Sequence, residues 1–328
     1  MNRWIRSVAA AAVVAVSVAA PARAADIDPL IPAESKQVMR LNIKQILESD
    51  IIKKYALNQI KQAMEGADAS KALKELGLDP LKDIDTLNAG FWGDDPQNMH
   101  GLAILKGKFD PAKLFEAVDK AIKKDGDKVS IVKEGDVKLI KIVMDKVPEP
   151  LYASMADDKT ILLATDKKIV LEAIKASDAK ATKSGVQKEL SELVAKMDDK
   201  ASMYYVGLTG KIGDIPDNPI FEDTVKLKKQ LESMESSAMM IRVSGDVAIE
   251  AHMNMKDAAS ADDFGSTIKD LMDKARVFLP LIAMQAPQAK PVVDDLKKSL
   301  SSKVDSKQIK VTLKLTGDAI GKAVGADE

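Results

Sequence analysis

The chain has 328 residues, 46% of them hydrophobic and 30% charged, with a formal net charge of −1, which is the balance of a folded protein and excludes a disordered one. It contains no cysteine, so disulfides, thiol nucleophiles, redox couples and thiolate metal sites are all excluded. Beyond residue 24 the arginines are Arg40, Arg242 and Arg276 and the tryptophan is Trp92, so the forks and stacking planes of nucleic-acid recognition are missing and no nucleic acid is expected among the partners.

Arg3 and Arg6 precede an apolar run from Val8 to Ala20, closed by Pro21-Ala22-Arg23-Ala24. This order of charge, short apolar run and small residues predicts a signal peptide over 1–24, cut before Ala25. The run is too short and too rich in Ala and Val to cross a bilayer of roughly 30 Å, so no stable membrane anchor is expected after cleavage. The expected location is the periplasm or the medium. The 304 residues that remain are enough for two domains, expected at 25–183 and 200–328 with a bridging helix over 184–199.

Element order suggests an internal echo between residues 35–176 and 200–325. Gln37 to Ile43 predicts a strand, followed by a helix through Ile46, Leu47, Ile51 and Ile52; Ala201 to Leu208 predicts another strand, followed by a helix near 221–234. A hairpin comes next in each half, Thr86–Trp92 with Leu102–Gly107 and Ser237–Val243 with Val247–Met255. In the second, Ser244-Gly245-Asp246 is a tight turn in which Gly245 is free to take a positive φ. Asp110-Pro111 opens an amphipathic helix through Leu114, Phe115, Val118 and Ile122, and its counterpart runs from about Asp262 through Phe264, Ile268, Leu271 and Met272. Strands at 137–143, 151–156 and 160–164 and a helix capped by Asp166 finish the first half. The second closes on an alternating strand, Gln308–Leu315, and a helix over 318–324. The expected class is α+β, in two related domains, each an antiparallel sheet with helices packed on one side.

The phrase Leu76-Gly77-Leu78-Asp79-Pro80-Leu81-Lys82-Asp83-Ile84-Asp85, with Gly107-Lys108-Phe109-Asp110-Pro111 opening the next helix, resembles a group of uncharacterised exported bacterial proteins with a duplicated α+β body. These are cap and turn motifs. The resemblance implies a fold and transfers no catalytic residue.

Candidate chemistry is sparse. His252-Met253-Asn254-Met255 offers thioether and imidazole ligands suited to Cu(I), but strand alternation puts both methionines on the apolar face and His252 on the other, which predicts core methionines. The loop 94–98 and Asp125-Gly126-Asp127 carry oxygen ligands without the spacing of a calcium loop and predict solvated turns. Neither His100 nor His252 has a local Ser or Asp arrangement, and no nucleophile elbow, zinc-helix spacing, P-loop or dinucleotide fingerprint occurs. No catalytic, metal or cofactor residue is therefore assigned.

One segment stands apart. Val277-Phe278-Leu279-Pro280-Leu281-Ile282-Ala283-Met284 is apolar all round and is followed by Pro287 and Pro291. It predicts either a fully buried, kinked helix between the domains or an exposed apolar surface, with Phe278, Leu279, Leu281, Ile282 and Met284 as the contacts for an apolar, lipid-like ligand, a membrane surface or a protein partner; a helix lying flat on a membrane should carry a charged face, and only Lys274 and Arg276 just upstream supply one, which weakens that version. The function expected is non-enzymatic, a binding or structural role outside the cytoplasm. The alternatives are a carrier of a lipid-like ligand, and a hydrolase built on carboxylates brought together by the fold.

Overall fold

The computed structural model describes residues 24–66, 78, 79, 81–93, 99–144, 149–210 and 223–325. Residues 1–23 of the expected signal peptide, the loop 94–98, Phe221, and Leu76, Gly77 and Pro80 of the 76–85 phrase lie outside them. Within them the first half comprises β1 (Gln37–Leu41), α1 (Ile43–Glu48), a π-helical turn leading into α2 (Leu57–Gly66), β2 (Ile84–Trp92), β3 (His100–Gly107), α3 (Pro111–Lys124), β4 (Val129–Glu134), β5 (Val137–Ile142), β6 (Leu151–Asp157), β7 (Thr160–Ala164) and α4 (Lys167–Asp178). Then come α5 (Lys188–Val194), β8 (Met203–Leu208), α6 (Thr224–Glu232), β9 (Met234–Val243), β10 (Asp246–Met255), α7 (Ala258–Gln285), a 3-10 turn (Pro287–Ala289), α8 (Lys290–Ser299), β11 (Ser301–Asp305), β12 (Gln308–Thr316) and α9 (Gly317–Ala323).

The helix starts follow the caps in the sequence. Asp110 accepts from Ala112 and Lys113 N–H ahead of Pro111, and Asp166 accepts from Lys168 N–H. Both hairpins form with the expected partners. Positive φ occurs at Gly93 and Gly135, while Gly245 makes its turn without it. The glycine that packing requires is Gly317: a Cβ on it would lie 2.2 Å from the Gly245 carbonyl oxygen, so its absence lets the start of α9 sit against the β9–β10 turn.

The two expected sheets are one. Among the described residues all twelve strands join a single antiparallel sheet in the order β11-β12-β10-β9-β8-β1-β2-β3-β7-β6-β5-β4. The junction is the pairing of β1 with β8, Gln37 to Leu41 against Gly207 to Met203. The largest core also crosses it, with Val38, Leu102, Ile104 and Leu162 from one side packing with Tyr204, Val206, Ala238 and Met240 from the other. The segment expected to bridge the domains belongs to this core: Leu190 and Val194 of α5 are fully buried in it.

Helices also cover both faces rather than one. Alternation along β3 and β7 sends Leu102, Ile104 and Leu162 to the face under α4 and α5, and Leu105 and Ile161 to the opposite face. There they meet Leu114 and Val118 of α3. A third cluster, Leu227, Met255, Ala261, Phe264 and Ile309, packs α6 and α7 against β10 and β12.

The residues after the expected cleavage point form a strap over the first face. Ala25 is buried and its N–H donates to the Met197 carbonyl at 3.0 Å. Asp28 reaches Lys106 at 2.7 Å, and the Tyr204 hydroxyl donates to the Asp26 carbonyl at 3.4 Å. The strap thus ties both sides of the β1–β8 junction.

Candidate functional site

The exposed surface of interest is the far end of α7. Asp257 caps the helix by accepting from Ser260 N–H at 2.7 Å, and its first half buries Ala261, Phe264, Gly265 and Met272. Gly265 permits this contact, because a Cβ there would stand 2.4 Å from Val304 of β11. Arg276 ties the helix to the body, donating to Asp273 at 2.7 Å and to the Leu300 carbonyl, at the end of α8, at 2.8 Å.

Beyond Arg276 the helix leaves the core. Val277 is 71% exposed, Phe278 61%, Leu281 51%, Ile282 51% and Met284 77%, while Leu279 is half-buried. Of the two expectations for this segment, the fully buried helix is overturned by these exposures, because the core that receives Phe264 and Met272 ends before the segment begins. Pro280 sits inside the helix without an N–H for the Arg276 carbonyl. The chain then turns through Ala286 N–H to Ile282 carbonyl and Ala289 N–H to Ala286 carbonyl, both 2.8 Å, into α8. α8 is held by the Lys290–Asp294 pair, by buried Val293, and by Asp295, which accepts from the Thr316 hydroxyl at 2.6 Å. A helical hairpin results, rooted on β12, with an apolar tip.

The other candidates resolve as follows. Met255 is fully buried and Met253 packs against the same cluster, so the thioethers face the core, on the side of the strand away from His252. Asp125 ends α3 behind Lys123 and Lys124, and a turn follows, as expected. His100 stacks at 6.0 Å from Trp92.

His252 has a partner that the Ser and Asp pattern does not reveal. Its Nε2 lies 2.6 Å from Glu250 Oε1, which also accepts from Lys310 at 2.9 Å, and its Nδ1 lies 3.2 Å from Gln308 Oε1. From Gln308 the chain of bonds runs on through Asn254 to Ser236. The signal is present in the sequence, since residues i and i+2 of a strand share a face and Glu250 stands two before His252. Burial works to raise the Glu250 carboxyl, and the hydrogen bonds from His252 and Lys310 outweigh it and hold it below the ordinary range.

Every described carboxylate that is displaced moves in that same direction. Asp246 is lowered by hydrogen bonds from Lys314 and the Gly317 N–H, and Asp295 by those from Thr316. A carboxylic acid catalyst needs the opposite shift. The described clefts have mixed walls: about 570 Å³ beside Asp26, Ile27, Pro29, Thr182 and Lys183, and about 360 and 340 Å³ on either side of Asp50. Among the described residues no three His, Cys, Asp or Glu side chains gather closely enough to hold a metal ion, and no helix is long and apolar enough to cross a membrane.

No family model and no curated protein matches the sequence. Among solved structures, three crystal forms of TP0453, a protein of the bacterium Treponema, are similar to this chain. Form III has a TM-score of 0.48 at 7% identity, form IV 0.47 at 7% and form I 0.46 at 8%. Each covers 92% of this chain and 98% of the crystallised one. The likeness is loose and extends to the course of the chain alone.

Proposed function

We propose that this is an exported, non-enzymatic protein of the cell envelope that acts by binding, and that the tip of the α7–α8 hairpin is its contact surface. The observation that carries this reading is the exposure of Val277, Phe278, Leu281, Ile282 and Met284 together at one end of one hairpin. Large apolar side chains scattered singly over a surface need no explanation, whereas a contiguous set marks a contact. The carrier reading is weaker because every described cleft has charged side chains in its walls. The hydrolase reading is weaker because the displaced carboxylates are all held ionised.

The same proposal takes the two halves as repeats. Outward from the centre, β8-β9-β10-β12-β11 follows the same path as β1-β2-β3-β7-β6, and the antiparallel β1–β8 pairing is what a local two-fold axis between equivalent strands would produce.

The test is a photo-crosslinker placed at Ile282 in the protein expressed in its own cells, with a second at Val225, which is 65% exposed on α6, as the control. An adduct from Ile282 that Val225 does not give, and that Phe278→Glu removes, is the expected result. Equal labelling at both positions, or none at Ile282, refutes the tip as a binding surface.

A further inference from the structure

We propose that the surface this tip meets is a phospholipid bilayer, entered endwise by the turn of the hairpin; this rests on the binding function proposed above. Three features point to lipid. First, no charged residue occurs from Val277 through Ala289, a stretch that includes the end of α7, the 3-10 turn and the approach to α8. A helix lying flat on a membrane needs a charged face along its length, but a hairpin entering end-on needs only an uncharged end.

Second, the apolar side chains are not confined to a stripe. At about 100° per residue, the five exposed positions spread over about 160° of the helix surface. One groove of a folded partner covers a narrower face, whereas a fluid surrounds the whole arc. Third, the turn of the tip is poor in N–H groups that need water. Pro287 and Pro291 have no N–H, and the Ala286 and Ala289 N–H groups are satisfied within the turn.

The rim adds a further expectation. Arg276 is paired with Asp273 and Lys290 with Asp294, so little net charge borders the tip and the attraction is apolar. Adsorption should therefore change by less than about threefold between low and high salt, unlike binding through a basic patch.

The experiment uses the whole mature chain and vesicles of phosphatidylethanolamine and phosphatidylglycerol. Phe278→Trp, made with Trp92→Phe, places a single fluorophore on the tip. The expected result is co-sedimentation with vesicles, a blue-shifted indole emission quenched by brominated acyl chains, and a fall in vesicle binding of more than about tenfold in the Phe278→Glu/Leu281→Glu pair. Val225→Glu should bind as the parent does. If the glutamate pair loses its helical circular dichroism, Leu281→Ser with Met284→Ser serves in its place. Absence of co-sedimentation, unquenched emission, or equal binding by the double variants overturns the lipid assignment. A protein adduct from Ile282 together with failed vesicle binding refutes lipid while the binding function stands; failure of both experiments removes both.

Discussion

The buried methionine of β10 gives the sharpest test of the core. Met255 is fully buried among Leu227, Phe264 and Ile309, with Met234, Ile268 and Val304 close by, so Met255→Ala removes packed atoms and leaves a cavity. Truncations of this kind cost about 2–5 kcal/mol, while the volume-conserving Met255→Leu costs less than about 1.5 kcal/mol. For a chain of this size each kcal/mol moves the melting temperature by about 1.5 °C, so the alanine variant should melt roughly 3–8 °C below the parent and the leucine variant within about 2 °C of it. Urea unfolding followed by circular dichroism supplies the free energies, with an unchanged slope confirming that both states are comparable. The packing account fails if Met255→Leu is as damaging as Met255→Ala, or if the alanine variant loses less than about 1 kcal/mol. The account of these residues as core rather than ligands fails if Met253→Leu with Met255→Leu loses a copper(I) affinity that the parent possesses.

Three further outcomes follow from other parts of the sheet. Burial pushes the Tyr204 hydroxyl up from 10.0 to about 12, so the folded state holds a proton that the unfolded chain gives up first; the stability this contributes is intact below pH 10 and lost between pH 10 and 12. Tyr204→Phe should flatten that alkaline loss in a urea series, and an unchanged alkaline limb would exclude Tyr204 as its source. Asp246 has its carboxyl depressed by Lys314 and the Gly317 N–H, so its contribution is present above the ordinary value of 3.8 and disappears as the pH falls below it; Lys314→Met should lower stability at neutral pH, leave it nearly unchanged in strong acid, and so flatten the acid limb, and an equal loss at both pH values would refute the linkage. The strap holds the expected cleavage point against the body, since Ala25 is buried with its N–H bonded to Met197 and the exposed Ala24 bridges Asp198; refolded precursor should resist signal peptidase that cuts the urea-unfolded precursor, and equal rates would show that the strap opens freely.

How much of this architecture could be read in advance depended on whether the information was local. Asp110, Asp166 and the two hairpins announce themselves within a few residues, and all formed where the pattern placed them. Two strands gave no such notice. β11, Ser301 to Asp305, has Val304 as its single apolar side chain, because an edge strand buries little, and β4 follows so directly on the turn after α3 that its first residues read as a continuation of that turn. The β1–β8 pairing joins residues more than 160 positions apart, and alternation along either strand is the same whether its neighbour belongs to its own half or the other. Element order read along the chain therefore places the hairpin of each half and still misses that the halves share one sheet and one core.

The tip raises the same difficulty in a form that bears on function. A helix apolar on all sides has one sequence pattern whether it is buried in protein or left outside, because periodicity reports the difference between faces and here no face differs. What separates the two cases is distant: Gly265 and Phe264 seat the first half of α7 against β11 and β12, and Arg276 clamps it to Leu300, which sets where the packed half ends. Past that clamp the helix continues for about nine residues, and no element among the described residues buries the five exposed side chains. Polar alternatives were open at these positions, as the other exposed helices show with Lys113, Lys120 and Lys226. Apolar residues kept at five such positions do not help the isolated chain fold, and their stabilisation is realised only when something else covers them.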